Sequence, residues 1–257
     1  MKKKSEIRIS YLDSESQISQ NIRLGLNGYL NLLKLQDEKC LTFDKAIRIE
    51  LGEDLENKVI NFDDFEYLAR VKISRVPEIF NSRNDYNVLI ESIFKEILNL
   101  LKNKFNFDTS SLEKAIENVR IKEFIEFKQI GEFKEIEDFK LMLGANFNIH
   151  KTNFFVIIFN SDKKKVFEYN LYSLMSSQTI INEYFPEFSN HKKNQVDILL
   201  RRLARRYSIV SYNHTFEVQV DDKFPSDLVE LKLKALNPDT LQKDRIEILK
   251  ECLQHGI

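Results

Sequence analysis

EFKQIGEFKEIEDFK, residues 126–140, repeats an acid-Phe-Lys triplet at a spacing of six: Glu126-Phe127-Lys128, Glu132-Phe133-Lys134 and Asp138-Phe139-Lys140. That spacing would scatter three aromatics around a helix, but it keeps them on one face of a strand, whose side chains alternate with period two. The stretch therefore reads as β structure, at least through Lys134. Phe127, Phe133 and Phe139 are expected on one face, with acid and lysine pairs on the other, each cross-strand pair worth roughly 0.2 to 1 kcal/mol.

Around this segment FIEFKQI, FKLMLGANFNIH, NFFVIIFN and KVFEYNLYSL read as four strands. The last two flank the turn-forming NSDKKK and are expected to pair as a hairpin. Upstream, residues 6–13, 46–51 and 65–76 alternate as strands, with an acidic loop between the last two. Ile18, Ile22, Leu26, Tyr29, Leu30 and Leu33 recur at three and four, which predicts an amphipathic helix. Gly25 and Gly28 weaken that helix by about 1 kcal/mol each relative to Ala. A second helix is predicted over 84–105, with a stripe running from Tyr86 to Leu101, and Ser110 with Glu113 reads as a capping box for a short third helix. Downstream, TIINEYF and KNQVDILLRRLARRY carry helical spacing, and residues 208–220 are strand-like. Two helices close the chain, with Ser226 and Asn237 as N-caps and Pro238 at a first helical position.

Strands and helices come in blocks, so the expected class is α+β: a mostly antiparallel central sheet with packed amphipathic helices and a C-terminal helix pair. A chain of 257 residues is read as a single α+β unit, with two subdomains, 1–108 and 109–257, as the other division, its seam at NFDTSS near 106–111. The 20 Phe, 9 Tyr and 42% hydrophobic content mark a folded chain, while 6 Gly and 4 Pro argue against a glycine-rich phosphate cradle and long flexible linkers. A formal charge of −1 leaves no global field toward polyanions, so any such site is a local patch. Cys40 and Cys252 have no metal-ligand or disulfide spacing and read as reduced, buried thiols. MKKK is followed by polar SEIRIS instead of an apolar run, which predicts a soluble, cytoplasmic protein.

Two segments carry candidate chemistry. In ILLRRLARRYSIV a helical wheel gathers Arg201, Arg202, Arg205 and Arg206 on one side and Val196, Leu199, Leu200, Leu203 and Tyr207 on the other, with His191, Lys192 and Lys193 just before. A basic helix over 192–206 is the expected binding element, for nucleic acid by salt-sensitive phosphate contacts or for an acidic protein partner by paired guanidinium forks. Acids elsewhere, Asp221, Asp222 and Asp227 among them, offer these arginines structural partners instead.

The second candidate is a Mg²⁺-dependent nuclease of the PD-(D/E)xK kind, with Asp108 and Glu126 as carboxylate ligands and Lys128 assisting the attacking water. Glu126 and Lys128 share a strand face, but the chain holds eight acid-x-Lys pairs, no Pro-Asp precedes the strand, and the segment after Asp108 looks helical. The four histidines are scattered, and a cation-binding reading of Asp63 and Asp64 competes with an ordinary loop. The leading expectation is a non-catalytic interaction protein needing no cofactor. Abundant Lys, Asn, Ile and Phe suggest an AT-rich bacterial genome, and a toxin-neutralising or phage-defence role is the prior for such a protein.

Overall fold

The computed structural model describes residues 7–11, 17–41, 43, 45–52, 55–61, 66–72, 82–105 and 108–255. Asp63 and Asp64 lie outside these. The chain is α+β, and among the described residues the strands form three four-stranded sheets instead of one central sheet. It divides into two compact units, Met1–Glu126 with Asn148–His150, and Phe127–Phe147 with Lys151–Ile257. The 106–111 stretch falls within the first unit.

In the first unit β1 (Ile7–Tyr11), α1 (Gln17–Gln36) and β2 (Ala46–Gly52) make a parallel β-α-β crossover. β4 (Glu66–Lys72) joins β2 in parallel, and β3 (Lys58–Asn61) returns antiparallel to β4. β3 lies in the segment read as an acidic loop, whose surface charges outweigh its short apolar pair Val59-Ile60. The predicted stripe of α1 is buried at Ile22, Leu26, Tyr29, Leu30 and Leu33, and α2 (Arg83–Phe105) buries Tyr86, Ile90, Ile93, Phe94, Ile97 and Leu101. α3 (Ser110–Ile121) begins one residue after Thr109, which takes the capping place assigned to Ser110: its Oγ1 donates to Glu113 at 2.7 Å. The N–H and hydroxyl of Ser110 instead donate to Asp108.

The second unit holds two antiparallel meanders. The first runs β5 (Ile125–Ile136), β6 (Phe139–Asn148), β7 (Lys151–Phe159) and β8 (Lys165–Met175), and includes the expected β7–β8 hairpin. The second runs β9 (Glu187–Lys192), β10 (Gln195–Leu200), β11 (Arg205–Tyr212) and β12 (Thr215–Asp222). The two meet through Phe216 against Phe139 and Phe167, and through stacked Tyr172 and Tyr207, whose hydroxyl donates to Leu171 O at 3.1 Å. α4 (Gln178–Glu183) covers β8. α5 (Ser226–Leu236) and α6 (Gln242–Gln254) form the C-terminal pair around Ala235, Ile248 and Cys252. Pro225, not Ser226, precedes α5, and α6 starts at Gln242, so Asn237 and Pro238 belong to the connecting turn.

The triplet region is β structure but for a turn at Glu137 and Asp138, and its three phenylalanines do not share a face. The β6–β7 register places Leu141, Leu143 and Ala145 with Ile158, Val156 and Phe154 on the buried face, and Gly144 with Phe155 on the other. Phe139 has the parity of Leu141 and packs inward on Phe216. Phe127 and Phe133 pack on Phe155 and Phe159 of the opposite face and are 47% and 46% exposed. Physically, alternation holds only along one strand. The two-residue turn at Glu137 and Asp138 reverses the chain and gives Phe139 the same face as its turn-flanking neighbour Ile136, three residues from Phe133.

Among the described residues no helix is long and apolar enough to cross a membrane. Both cysteines are buried and free of disulfides.

Candidate functional site

The segment expected as a basic helix is a strand, a tight turn and a second strand. β10 ends at Leu200, Arg201–Leu203 form one turn of 3₁₀ helix, Ala204 takes a left-handed φ of 50°, and β11 starts at Arg205. Of the apolar residues assigned to one helix side, Val196, Leu200, Leu203 and Tyr207 are at most 2% exposed, as are their strand neighbours Ile198 and Ile209, whereas Leu199 is only half-buried. Strand alternation then sends neighbouring arginines to opposite sides.

Arg205 points inward. Its Nε and Nη2 donate to the two oxygens of Asp222 at 2.8 Å each, and its Nη1 donates to Glu230 of α5 at 2.6 Å. The Arg205 and Asp222 side chains are 5% and 2% exposed. A fork-to-fork pair of this kind satisfies charge and direction together, which is what allows it to stay buried. The hydrogen bonds from Arg205 hold the Asp222 carboxyl below the usual aspartate range, against the opposing effect of burial. The network fastens β11 to β12 and to α5, so Arg205 is structural. The phase of Leu203, Arg205 and Tyr207 along a strand was the available signal for its burial; Glu230, one turn into α5, had none.

Arg201, Arg202 and Arg206 point to solvent. Arg201, 77% exposed, pairs with Glu187; Arg206 pairs with Asp221, its cross-strand neighbour; Arg202 lies near Tyr184, whose hydroxyl pKa burial raises and Arg202 in part lowers. Thus two of the three acids offered as structural partners, Asp221 and Asp222, do take arginines. Lys192 and Lys193 are exposed at the β9–β10 turn. In the register of this sheet that turn lies with the Asn213–His214 turn, at the end opposite the arginines. The six residues of β10 separate the two groups by roughly 20 Å at 3.3 Å per residue.

The nuclease residues are placed as follows. Asp108 precedes α3 and its capping residue Thr109, and the hydrogen bonds it accepts from Ser110 lower its pKa. Glu126 follows α3 on β5, where its Oε2 accepts from Gln36 and Lys122 at 2.7 Å each. The intervening helix of 12 residues spans about 18 Å, far more than two ligands of one ion, each about 2 Å from it, can bridge. Lys128 is exposed two residues along β5. Among the described residues no three His, Cys, Asp or Glu side chains are grouped closely enough to hold a metal ion. Of the histidines, His150 packs on Tyr86, His191 contacts Glu135 O and His214 packs on Phe139. The chain matches no protein-family model and no curated protein.

Proposed function

We propose that this is a non-catalytic interaction protein that docks an acidic protein surface through Arg201, Arg202 and Arg206. The observation that carries this reading is the presentation of three exposed guanidiniums, Arg201 and Arg202 on the tight turn before β11 and Arg206 at its start, beside buried Arg205. Anchoring lowers the entropy that docking must remove, since the backbone bearing the cations is already ordered. Their present acidic partners cost little to exchange: Glu187 and Asp221 are 41% and 65% exposed, and ion pairs of that kind are worth about 0 to 1 kcal/mol. The guanidinium fork matches carboxylate and phosphate alike, and what favours an acidic protein over a polyanion is the formal charge of −1, which leaves no wider field to gather phosphates around these three residues. Lys192 and Lys193 lie too far away to join the same contact. A role in neutralising a toxin or in phage defence belongs to this proposal, with the toxin or defence partner as the acidic protein.

Affinity capture from the native cell tests the reading, with bound protein and nucleic acid both identified. Retention should be lost in the R201E/R202E/R206E variant and kept in K192E/K193E. Equal capture of every partner by the triple variant, or retention of nucleic acid alone, sinks the proposal.

A further inference from the structure

In the first unit, and independent of the arginine surface, a cleft of about 590 Å³ opens between the first half of α2 and the turn joining α3 to β5. Its size falls among small-molecule sites, which are mainly apolar with a few convergent polar groups. Val88, Phe124 and Ile125 supply the apolar wall. Val88 and Ile125 are 53% and 47% exposed, so this apolar surface is not consumed by the core.

At the centre of the lining stands Glu91, only 4% exposed. Its Oε1 accepts from Lys95 Nζ at 2.5 Å and from Arg120 Nη2, while its Oε2 has no partner among the described residues. The two cations remain 41% and 48% exposed, and Arg120 has N–H groups to spare beyond its 3.6 Å approach to Glu117. Arg83 and Glu123 complete the charged lining. Three cations against two acids leave room for one anionic group, and the open oxygen of Glu91, which solvent reaches, is placed to accept from a ligand's donor.

Two further features adjoin the cleft, one behind its Phe124 wall and one in the turn itself. The Tyr29 hydroxyl, fully buried, has no hydrogen-bond partner among the described residues, and it lies close enough to Glu91 and Arg120 for both charges to act on its ionisation. Burial first, and Glu91 next, raise its pKa far above the ordinary tyrosine value, so it stays a donor. The turn itself holds two successive left-handed residues, Glu123 at φ 52° and Phe124 at φ 59°. The bonds Glu123 N–H to Arg120 O and Phe124 N–H to Val119 O form a Schellman cap, which explains one such residue, normally glycine. Phe124 is the second, and it forms the cleft wall with its ring against Tyr29. Strained backbone of this kind concentrates at ligand clamps. A pin between α2 and α3 would need only Glu91 and one cation.

We infer that this cleft binds a small amphipathic carboxylate that also carries a hydroxyl or ammonium donor. The carboxylate pairs with Arg120 and Arg83, the donor faces Glu91 Oε2, and the apolar body lies on Val88, Phe124 and Ile125.

The test is an amide chemical-shift titration of the ¹⁵N-labelled full chain with L-3-phenyllactate, L-phenylalanine, 3-phenylpropionate and inorganic phosphate. Saturable shifts are expected at residues 87–95 and 123–125 with phenyllactate or phenylalanine. Phenylpropionate, which lacks the donor, should bind about tenfold more weakly, the size of one charge-assisted hydrogen bond. Phosphate, which lacks the apolar body, should leave these residues unmoved. Arg120→Lys keeps the charge but removes the fork, and should weaken binding by about tenfold or more. Val88→Glu alters only an exposed position on the wall and should weaken it similarly, which keeps the test sound if Arg120→Lys unfolds. The inference is overturned if none of the three carboxylates gives saturable shifts at these residues up to about 10 mM, or if neither variant weakens them.

Discussion

A Cβ on Gly28 would lie 1.9 Å from the carbonyl oxygen of Ile149, and one on Gly25 would lie 2.3 Å from the Tyr86 hydroxyl and 2.6 Å from Ile90 Cδ1. These glycines therefore exchange helix propensity for close approach. The two sites differ in what must move. Backbone faces Gly28, so Gly28→Ala should destabilise the first unit by about 2 to 3 kcal/mol, the upper range for overpacking. Side-chain tips face Gly25, so Gly25→Ala should cost less, near 1 kcal/mol, mainly by disturbing the Tyr86 bond to Asn21 O. Urea unfolding of the two variants checks the order. The opposite sign is expected at Glu123, which occupies the glycine place of a Schellman cap at φ 52°. Glu123→Gly should raise stability by about 1 kcal/mol, measured in the same way. The sequence reveals that α1 contains two costly glycines. It cannot reveal what they face, because Tyr86 and Ile149 are brought there only by the tertiary fold.

The scale of elements explains which parts of the fold were legible. Strands with one wet face, such as β2 and β5, carry alternation and were read correctly, as were α1 and α2 with their wide apolar stripes. β10 was read as helix because Val196, Asp197 and Ile198 are all buried, on both faces of the strand. A short apolar run of that kind has no period of its own, and Leu199, Leu200, Leu203 and Tyr207 completed a helical spacing by coincidence. What holds the misread segment in place is the Arg205–Asp222 pair, and it has a pH signature. The Asp222 carboxyl is lowered in the native state by its hydrogen bonds from Arg205. Its contribution is therefore complete above the unfolded aspartate value of about 3.9 and is lost as pH falls toward the lower native value. Asp222→Asn should destabilise the protein at pH 7 by about 3 kcal/mol, since it leaves Arg205 buried with only the exposed Glu230 as counter-charge. Chemical unfolding of both proteins at pH 7 and near pH 2 to 3 should show that difference shrinking in acid; a gap that widens there would contradict the assignment.

For the whole molecule, composition sufficed for the α+β class but not for the division into units. The change from one unit to the next falls at Glu126 and Phe127, inside continuous β5, where no Gly or Pro cluster marks it. The candidate binding residues were legible as residue types, and their arrangement was not, because a helix would gather Arg201, Arg202, Arg205 and Arg206 whereas a strand-turn-strand buries one and exposes three. With a net charge of −1, any attraction exerted by those three is local and acts within a Debye length of about 8 Å at physiological salt. This yields a prediction that separates binding from folding. R201E/R202E/R206E should unfold within about 1 kcal/mol of the parent, because exposed pairs contribute little. Arg205→Glu should unfold it outright or cost more than about 3 kcal/mol, since it buries a second acid against Asp222, beside exposed Glu230, with no cation between them. Against the captured partner, the parent should bind progressively more weakly from about 50 to 500 mM salt, and the triple variant should bind at least tenfold more weakly and lose most of that salt dependence. Parallel unfolding and binding measurements decide the matter: a triple variant that folds normally yet binds with the parent's affinity and salt dependence would remove the arginine surface from the function of the protein.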